Sequence, residues 1–169
     1  MGDGGGPSGW FRDSCQNGHL TIAKLLVDHF CITPGDVNDG LYLACARGHV
    51  RVVQWLTSRP TNHIEVDTID RAFSLVCGVG HLELAQMLTY WLVTRADIPS
   101  TSAIADKGFL YACNHGHLEL AQWLALQTGW ARDIPGIYGI GSYYAHRNGH
   151  LQLARWLEEH HTSTAEVAT

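Results

Sequence analysis

Lysine is nearly absent from this chain of 169 residues: Lys24 and Lys107 are the only two, and the nine arginines form no run. Sixteen acidic residues leave a formal charge of −5. Phosphate contacts need clustered cationic side chains, so this balance excludes a nucleic-acid-binding function. Long apolar runs are missing too. No stretch of about 18 uncharged apolar residues occurs, and no membrane-spanning helix is expected. The start, Met1 to Pro7, has neither the basic nor the apolar region of a secretory signal, and position 6 is glycine where myristoylation favours serine or threonine. Cysteine is sparse, odd in number and widely spaced, at Cys15, Cys31, Cys45, Cys77 and Cys113. That pattern excludes a dense disulfide framework and points to a reducing, intracellular, cytoplasmic setting. Charged residues make up only 16 % of the chain and apolar ones 46 %, enough for the core of one domain or one short array of repeats.

What the chain does have is internal repetition. Gly-His occurs five times, ending at His19, His49, His81, His117 and His150, with gaps of 30, 32, 36 and 33 residues. Counted from the histidine, position +4 is Ala23, Val53, Ala85, Ala121 and Ala154, and +7 is Leu26, Leu56, Leu88, Leu124 and Leu157. Position +1 is Leu20, Val50, Leu82, Leu118 and Leu151, and +3 is Ile22, Val52, Leu84, Leu120 and Leu153. Positions +1, +4 and +7 share one helical face, widened by +3 and +6, so each Gly-His opens an amphipathic helix. A small residue precedes each histidine by five positions, and cysteine precedes four of them by four. Upstream apolar residues predict a shorter first helix of about two turns, ended by the glycine in a left-handed conformation. One such pair cannot bury its apolar face, whereas stacked pairs can.

These residues resemble the ankyrin repeat family, whose period is about 33 and whose first helix ends in a small-small-x-x-Gly-His pattern. The resemblance runs from about Trp10 to His161. The Thr-Pro-Leu-His signature of that family is replaced by Gly9-WFR, Asp39-GLY, Arg71-AFS, Lys107-GFL and Ile140-GSY. The resemblance implies an all-α solenoid of about five stacked helix-turn-helix repeats. The boundaries follow as a flexible leader at 1–9, repeats at about 10–33, 34–65, 66–98, 99–134 and 135–161, and a flexible tail at 162–169. The breaker-rich segments Pro34–Asp36, Arg59–Asn62, Asp97–Ser100 and Asp133–Gly136 fit the connections between pairs. Asp39, Asp67 or Thr68, and Asp106 are the expected N-caps of first helices.

The four Cys-x-x-x-His pairs invite a zinc reading, but equivalent positions in a stack form a ladder about 8–10 Å apart and do not converge on one ion. Cysteine in a small packing slot, histidine in turn hydrogen bonding and Trp55, Trp123 and Trp156 as core at +6 are the expectations, with no cofactor. No Gly-x-Ser-x-Gly and no phosphate loop is present. The function implied is a non-catalytic protein-protein interaction module. The resemblance places its contacts at the hairpin tips and on the first-helix concave face. The alternatives are a small cysteine- or metal-dependent enzyme and a substrate-recruiting subunit of a larger ligase complex. Residues just before Gly-His differ in every copy, which singles out Asn17, Arg47, Asn114, His115 and Arg147, with Tyr42 and Tyr143 beside them, as partner-binding candidates. The partner expected is another protein, with no nucleic acid and no membrane. The chain is expected to be a monomer, with an apolar strip of Leu153, Trp156 and Tyr144 at the C-terminal repeat as its candidate contact.

Overall fold

A computed structural model describes residues 5–59, 63–94, 101–127 and 136–166. All regular structure among them is helical, in the order α1 (Pro7–Gln16), α2 (Leu20–His29), α3 (Pro34–Ala46), α4 (Val50–Ser58), α5 (Val66–Val79), α6 (Leu82–Thr94), α7 (Thr101–His115), α8 (Leu118–Leu126), α9 (Ile137–Arg147) and α10 (Leu151–Glu166). First and second helices alternate, the architecture of an all-α solenoid of about five ankyrin-like repeats. The chain forms two compact units. The first contains α1 to α4 with residues 66–72 of α5 and 83–91 of α6; the second contains the rest of α5 and the helices α7 to α10. In the first unit α1 packs on α2 and α3, and α3 packs on α4. In the second, α7 packs on α8 and α9, and α9 on α10. The expected connections Pro60–Asn62, Asp97–Ser100 and Asp133–Pro135 lie outside the described residues.

First helices are not the short elements expected. Two of them, α1 and α3, begin at a proline. Pro34, read as part of a linker, is the first residue of α3, where its missing N–H is no loss and its fixed φ already suits a helix. Thr33 caps α3 reciprocally: its side chain accepts from the Asp36 N–H at 3.2 Å, and Asp36 accepts from the Thr33 N–H at 3.2 Å. Asp39 therefore lies inside α3, and Asp67, Thr68 and Asp106 lie inside α5 and α7, so none of them is an N-cap. Pro7 starts α1 in the same way, within the segment read as leader, and α10 continues to Glu166, within the segment read as tail.

The core of the second helices is also displaced from the expected face. Position +4 is fully buried in all five copies, +7 is buried in all, and +3 is buried in all but the first. Position +1 is only half-buried and, at Leu151, exposed; Trp55, Trp123 and Trp156 at +6 are half-buried, not core. On the first helices, Phe11, Phe73 and Phe109 are fully buried eight residues before their histidines, with Cys15, Cys77 and Cys113 one turn later. Each pair packs on a glycine of the next first helix. A Cβ on Gly40 would lie 2.9 Å from the Phe11 ring and 3.0 Å from the Cys15 sulfur. On Gly108 it would lie 2.4 Å from Phe73 and 2.9 Å from Cys77, and on Gly141 it would lie 3.0 Å from Cys113 and 3.2 Å from Phe109. Small residues here are required by backbone-to-ring approach.

Two outcomes are expected. Gly108→Ala drives a methyl group into Phe73, an overpacking worth about 1–3 kcal/mol of lost stability. Gly35→Ala, whose Cβ meets nothing nearer than 3.8 Å, adds about 0.5–1 kcal/mol instead. Thermal and urea denaturation of the two variants checks the opposite signs. Asp36 is the second case. Burial disfavours its charge, but hydrogen bonds from Thr33 and Ser8, with the Arg12 guanidinium nearby, outweigh it and hold its carboxyl below the ordinary value. The stability it adds is present above the unfolded aspartate pKa of about 3.9 and is lost as the pH falls through the lower folded value. Thr33→Ala costs about 0.5–2 kcal/mol at neutral pH, and the difference from wild type shrinks on acidification, as denaturation at a series of pH values shows.

Candidate partner-binding face

Three of the Gly-His turns join one copy to the next. The glycines Gly18, Gly48, Gly80, Gly116 and Gly149 all have φ between 74° and 83°, a left-handed conformation costly for any other residue. The imidazole of the following copy lies over the same glycine: a Cβ on Gly18 would stand 2.7 Å from His49 Nδ1, on Gly80 2.5 Å from His117 Nδ1, and on Gly116 2.4 Å from His150 Nδ1. The opposite nitrogen donates to a carbonyl just upstream of that glycine. His49 Nε2–H bonds Gln16 O at 2.8 Å, His117 bonds Gly78 O at 2.8 Å, and His150 bonds Asn114 O at 3.2 Å. The histidines were expected to serve their own turn; they instead bond across copies, and as N-caps they make no side-chain hydrogen bond to their own helix.

This lattice occupies the residues that suggested metal or thiol chemistry. Cys15, Cys45, Cys77 and Cys113 are buried, and burial alone pushes their thiols up, to about 12 for Cys15, Cys45 and Cys113. They are packing groups and not nucleophiles. No cluster of three or more metal-ligating side chains occurs among the described residues.

The first helices carry an open face that the junctions do not use. In the second unit, Lys107, Tyr111 and His115 follow one another at i, i+4 and i+8 on α7, hence on one face. His115 Nδ1–H donates to Tyr111 O at 3.0 Å, and its ring stacks on Tyr111 at 6.3 Å and on His117 at 6.4 Å between centroids. Across on α9, Asn148 donates to Asn114 Oδ1 at 3.0 Å and to Tyr144 O at 2.9 Å. Between these helices lies an open hollow of about 300 Å³ lined by Lys107, Leu110, Tyr111, Asn114 and Tyr144.

The candidates from sequence divide accordingly. Asn114 lines the hollow and His115 stands beside it; Arg147 is exposed at the end of α9. Tyr143 is exposed but does not line the hollow, its ring tilted against Tyr144. In the first unit, Asn17 is exposed and bonds back to Asp13 O at 2.8 Å, a helix-ending role. Arg47 is exposed at the C-cap of α3, and Tyr42 is half-buried with the Arg71 guanidinium 4.9 Å over its ring. Sequence reasoning missed Lys107 and Tyr111 as lining residues and placed Tyr144 in the strip at the C-terminal repeat instead. Their signal was present: six residues before the histidine the middle copies have Leu43 and Leu75, where the last two have tyrosine.

With the Gly-His junctions and the paired helices in view, the comparison with known families becomes decisive for part of the chain. Residues 14–57 match the family model of ankyrin repeats (many copies). The matched ankyrin-repeat segment runs from the end of α1 through most of α4, and the same Gly-His register continues in the later copies. No curated protein matches the chain. The result is an ankyrin-repeat-like scaffold fold, and none of its described helices is long and apolar enough to cross a membrane.

The cross-copy bond has a measurable weight. His117→Ala leaves the Gly78 carbonyl without its donor and is expected to cost about 1–3 kcal/mol in urea denaturation. His19→Ala, at an exposed histidine with no such bond, is expected to stay within about 0.5 kcal/mol of wild type.

Proposed function

We propose that the chain binds a partner protein through its first-helix face, at the hollow between α7 and α9. The observation that carries this reading is the hollow itself, lined by two tyrosines, Tyr111 and Tyr144, with Lys107, Leu110 and Asn114. Tyrosine supplies large, rigid contact area at low entropic cost and, with arginine, dominates interface energetics. Arg147 and His115 stand at its margin, and Asn17, Tyr42 and Arg47 occupy related positions on the first unit's helices. The partner segment presents an apolar or aromatic side chain to the hollow. The hairpin tips would extend the contact. The repeat boundaries at about 10–33, 34–65, 66–98, 99–134 and 135–161 belong to the same reading. The five cysteines, all free, support a place in a reducing, cytoplasmic compartment.

The test is affinity capture with the full chain, followed by binding measurements on the captured protein. Tyr111→Ala and Tyr144→Ala are expected to weaken binding by tenfold or more, the behaviour of interface hot spots, with helicity unchanged by circular dichroism. Tyr90→Ala, at an exposed tyrosine on the second helix α6, is expected to leave binding unchanged. Equal affinities for Tyr111→Ala and wild type would remove the hollow from the interface.

A further inference from the structure

Two of the five copies carry asparagine immediately before the turn glycine, Asn17–Gly18 and Asn148–Gly149, where the other three have Arg47, Val79 and His115. Asparagine followed by glycine is open to attack of the glycine nitrogen on the asparagine side-chain carbonyl carbon, because glycine has no side chain to stand in the way. The two sites share one geometry. Asn17 has φ −97° and ψ 3°, and Asn148 has φ −98° and ψ 5°, each as the C-cap of a first helix. Three features of that geometry hold the reaction back. Ring closure needs Cβ and the glycine nitrogen eclipsed about the Cα–C bond, whereas at these ψ values the residue's own nitrogen is eclipsed with it. The attacking N–H is engaged, Gly18 with Cys15 O at 3.2 Å and Gly149 with His146 O at 3.1 Å. The side-chain amide is drawn back along the helix, donating to Asp13 O at 2.8 Å in Asn17 and to Tyr144 O at 2.9 Å in Asn148.

The consequence of the reaction differs between the two sites. At Asn17 the amide bonds within its own helix. At Asn148 it also reaches the neighbouring first helix. Asn148 Nδ2 donates to Asn114 Oδ1 at 3.0 Å, and His150 Nε2–H donates to Asn114 O at 3.2 Å. The residues on either side of Gly149 thus hold one residue of α7 together. The two residues that accept from the Asn148 amide, Asn114 and Tyr144, both line the hollow. A carboxylate in place of that amide donates nothing and faces two acceptor oxygens. An isoaspartate inserts a backbone atom between residues 148 and 150, so the two bonds to Asn114 no longer match it at once.

We propose that Asn148–Gly149 is a modification site at which the chain slowly loses ammonia, with water as co-reactant, and that the product uncouples α9 from α7. Hydroxide takes the Gly149 amide proton, the nitrogen bonds to Asn148 Cγ, the Cγ–Nδ2 bond breaks and ammonia leaves, which closes a cyclic imide. One water then opens the ring. Attack at Cγ restores the main chain and leaves aspartate; attack at the main-chain carbonyl carbon leaves isoaspartate, with the backbone routed through Cγ. Overall, one amide and one water become one carboxylic acid and one ammonia. The turn must open before the ring can close, so the rate follows local opening at the end of α9. The chemistry is independent of what the hollow binds, and stands or falls separately from the binding reading above.

Peptide mapping by mass spectrometry tests the site, on the full chain held for days in warm, mildly alkaline buffer with and without guanidinium chloride. Conversion is expected at Asn148 and Asn17 and not at Asn114, which precedes histidine. It is expected to run about tenfold or more faster in denaturant, where the turns are open. Amide hydrogen exchange then tests the uncoupling. The Asn17→Gln variant confines conversion to Asn148, and ion exchange separates its converted chains from the rest. Peptides from α9 are expected to exchange about tenfold faster in the converted chain, with peptides from α3 unchanged. Asn148→Asp reproduces the aspartate product directly and is expected to show the same pattern. An Asn148 that stays intact in denaturant overturns the proposal, as do equal rates with and without denaturant. Exchange that is the same before and after conversion, or that rises equally in α3, overturns the uncoupling of α9 from α7.

Discussion

At three of its turns the chain lays an imidazole against a glycine with no room for a side chain between them. At each Gly-His the backbone turns through a left-handed residue, and at Gly18, Gly80 and Gly116 the histidine of the next copy lies where a side chain would be, its far nitrogen on a carbonyl two residues upstream of the glycine. Three demands fall on one dipeptide. The glycine must permit a positive φ, it must leave room for a ring, and the ring must present an N–H at a fixed height. This arrangement sets the spacing between second-helix starts. The phenylalanine–cysteine pair against a glycine of the next first helix sets it again on the other side of the layer. With both fixed, the side chains between them have one depth to fill, which is why +4 stays alanine or valine.

That division of labour frees the rest of the surface. Packing is confined to a few positions per copy, and the stability of a stack is close to a sum over nearest neighbours. Residues six or seven before the histidine can then change type without disturbing the junctions. Leucine at that place gives way to Tyr111 and Tyr144, and the hollow beside Lys107 arises from this change. Burial of the thiols follows from the same economy: a cysteine fills the slot under a glycine where a larger side chain would not fit, and its acidity falls as a result.

Much of this was legible in the sequence, because periodicity is a direct record of repeated contacts. The helix pairs, the left-handed glycines and the buried +4 and +7 positions all follow from register alone. What was not legible has a common physical cause. Helix starts were misjudged because proline and glycine punctuate turns and also open helices; only the Thr33–Asp36 geometry distinguishes the two for α3. The destination of each histidine was misjudged because a hydrogen bond across copies leaves the same spacing as one within a copy. Position +1 was read as core because a helical wheel gives direction but not depth. The end strip was located on Leu153, Trp156 and Tyr144, of which Leu153 is buried and the other two are half-buried, while the open surface lies on Leu151, Tyr143 and, at the other end, Trp10, Ile22 and Leu25.

The spacing of the thiols has a practical reading. Four of the five copies carry one buried sulfur each, and Cys31 alone is exposed. A buried thiol reacts with a modifying reagent only when its surroundings open, so its labelling rate reports the free energy of that local opening. The chain therefore contains a graded set of internal clocks, one for each of its first four copies. Read together by mass spectrometry after timed alkylation, they give the order in which the stack frays along its length, without a single introduced probe.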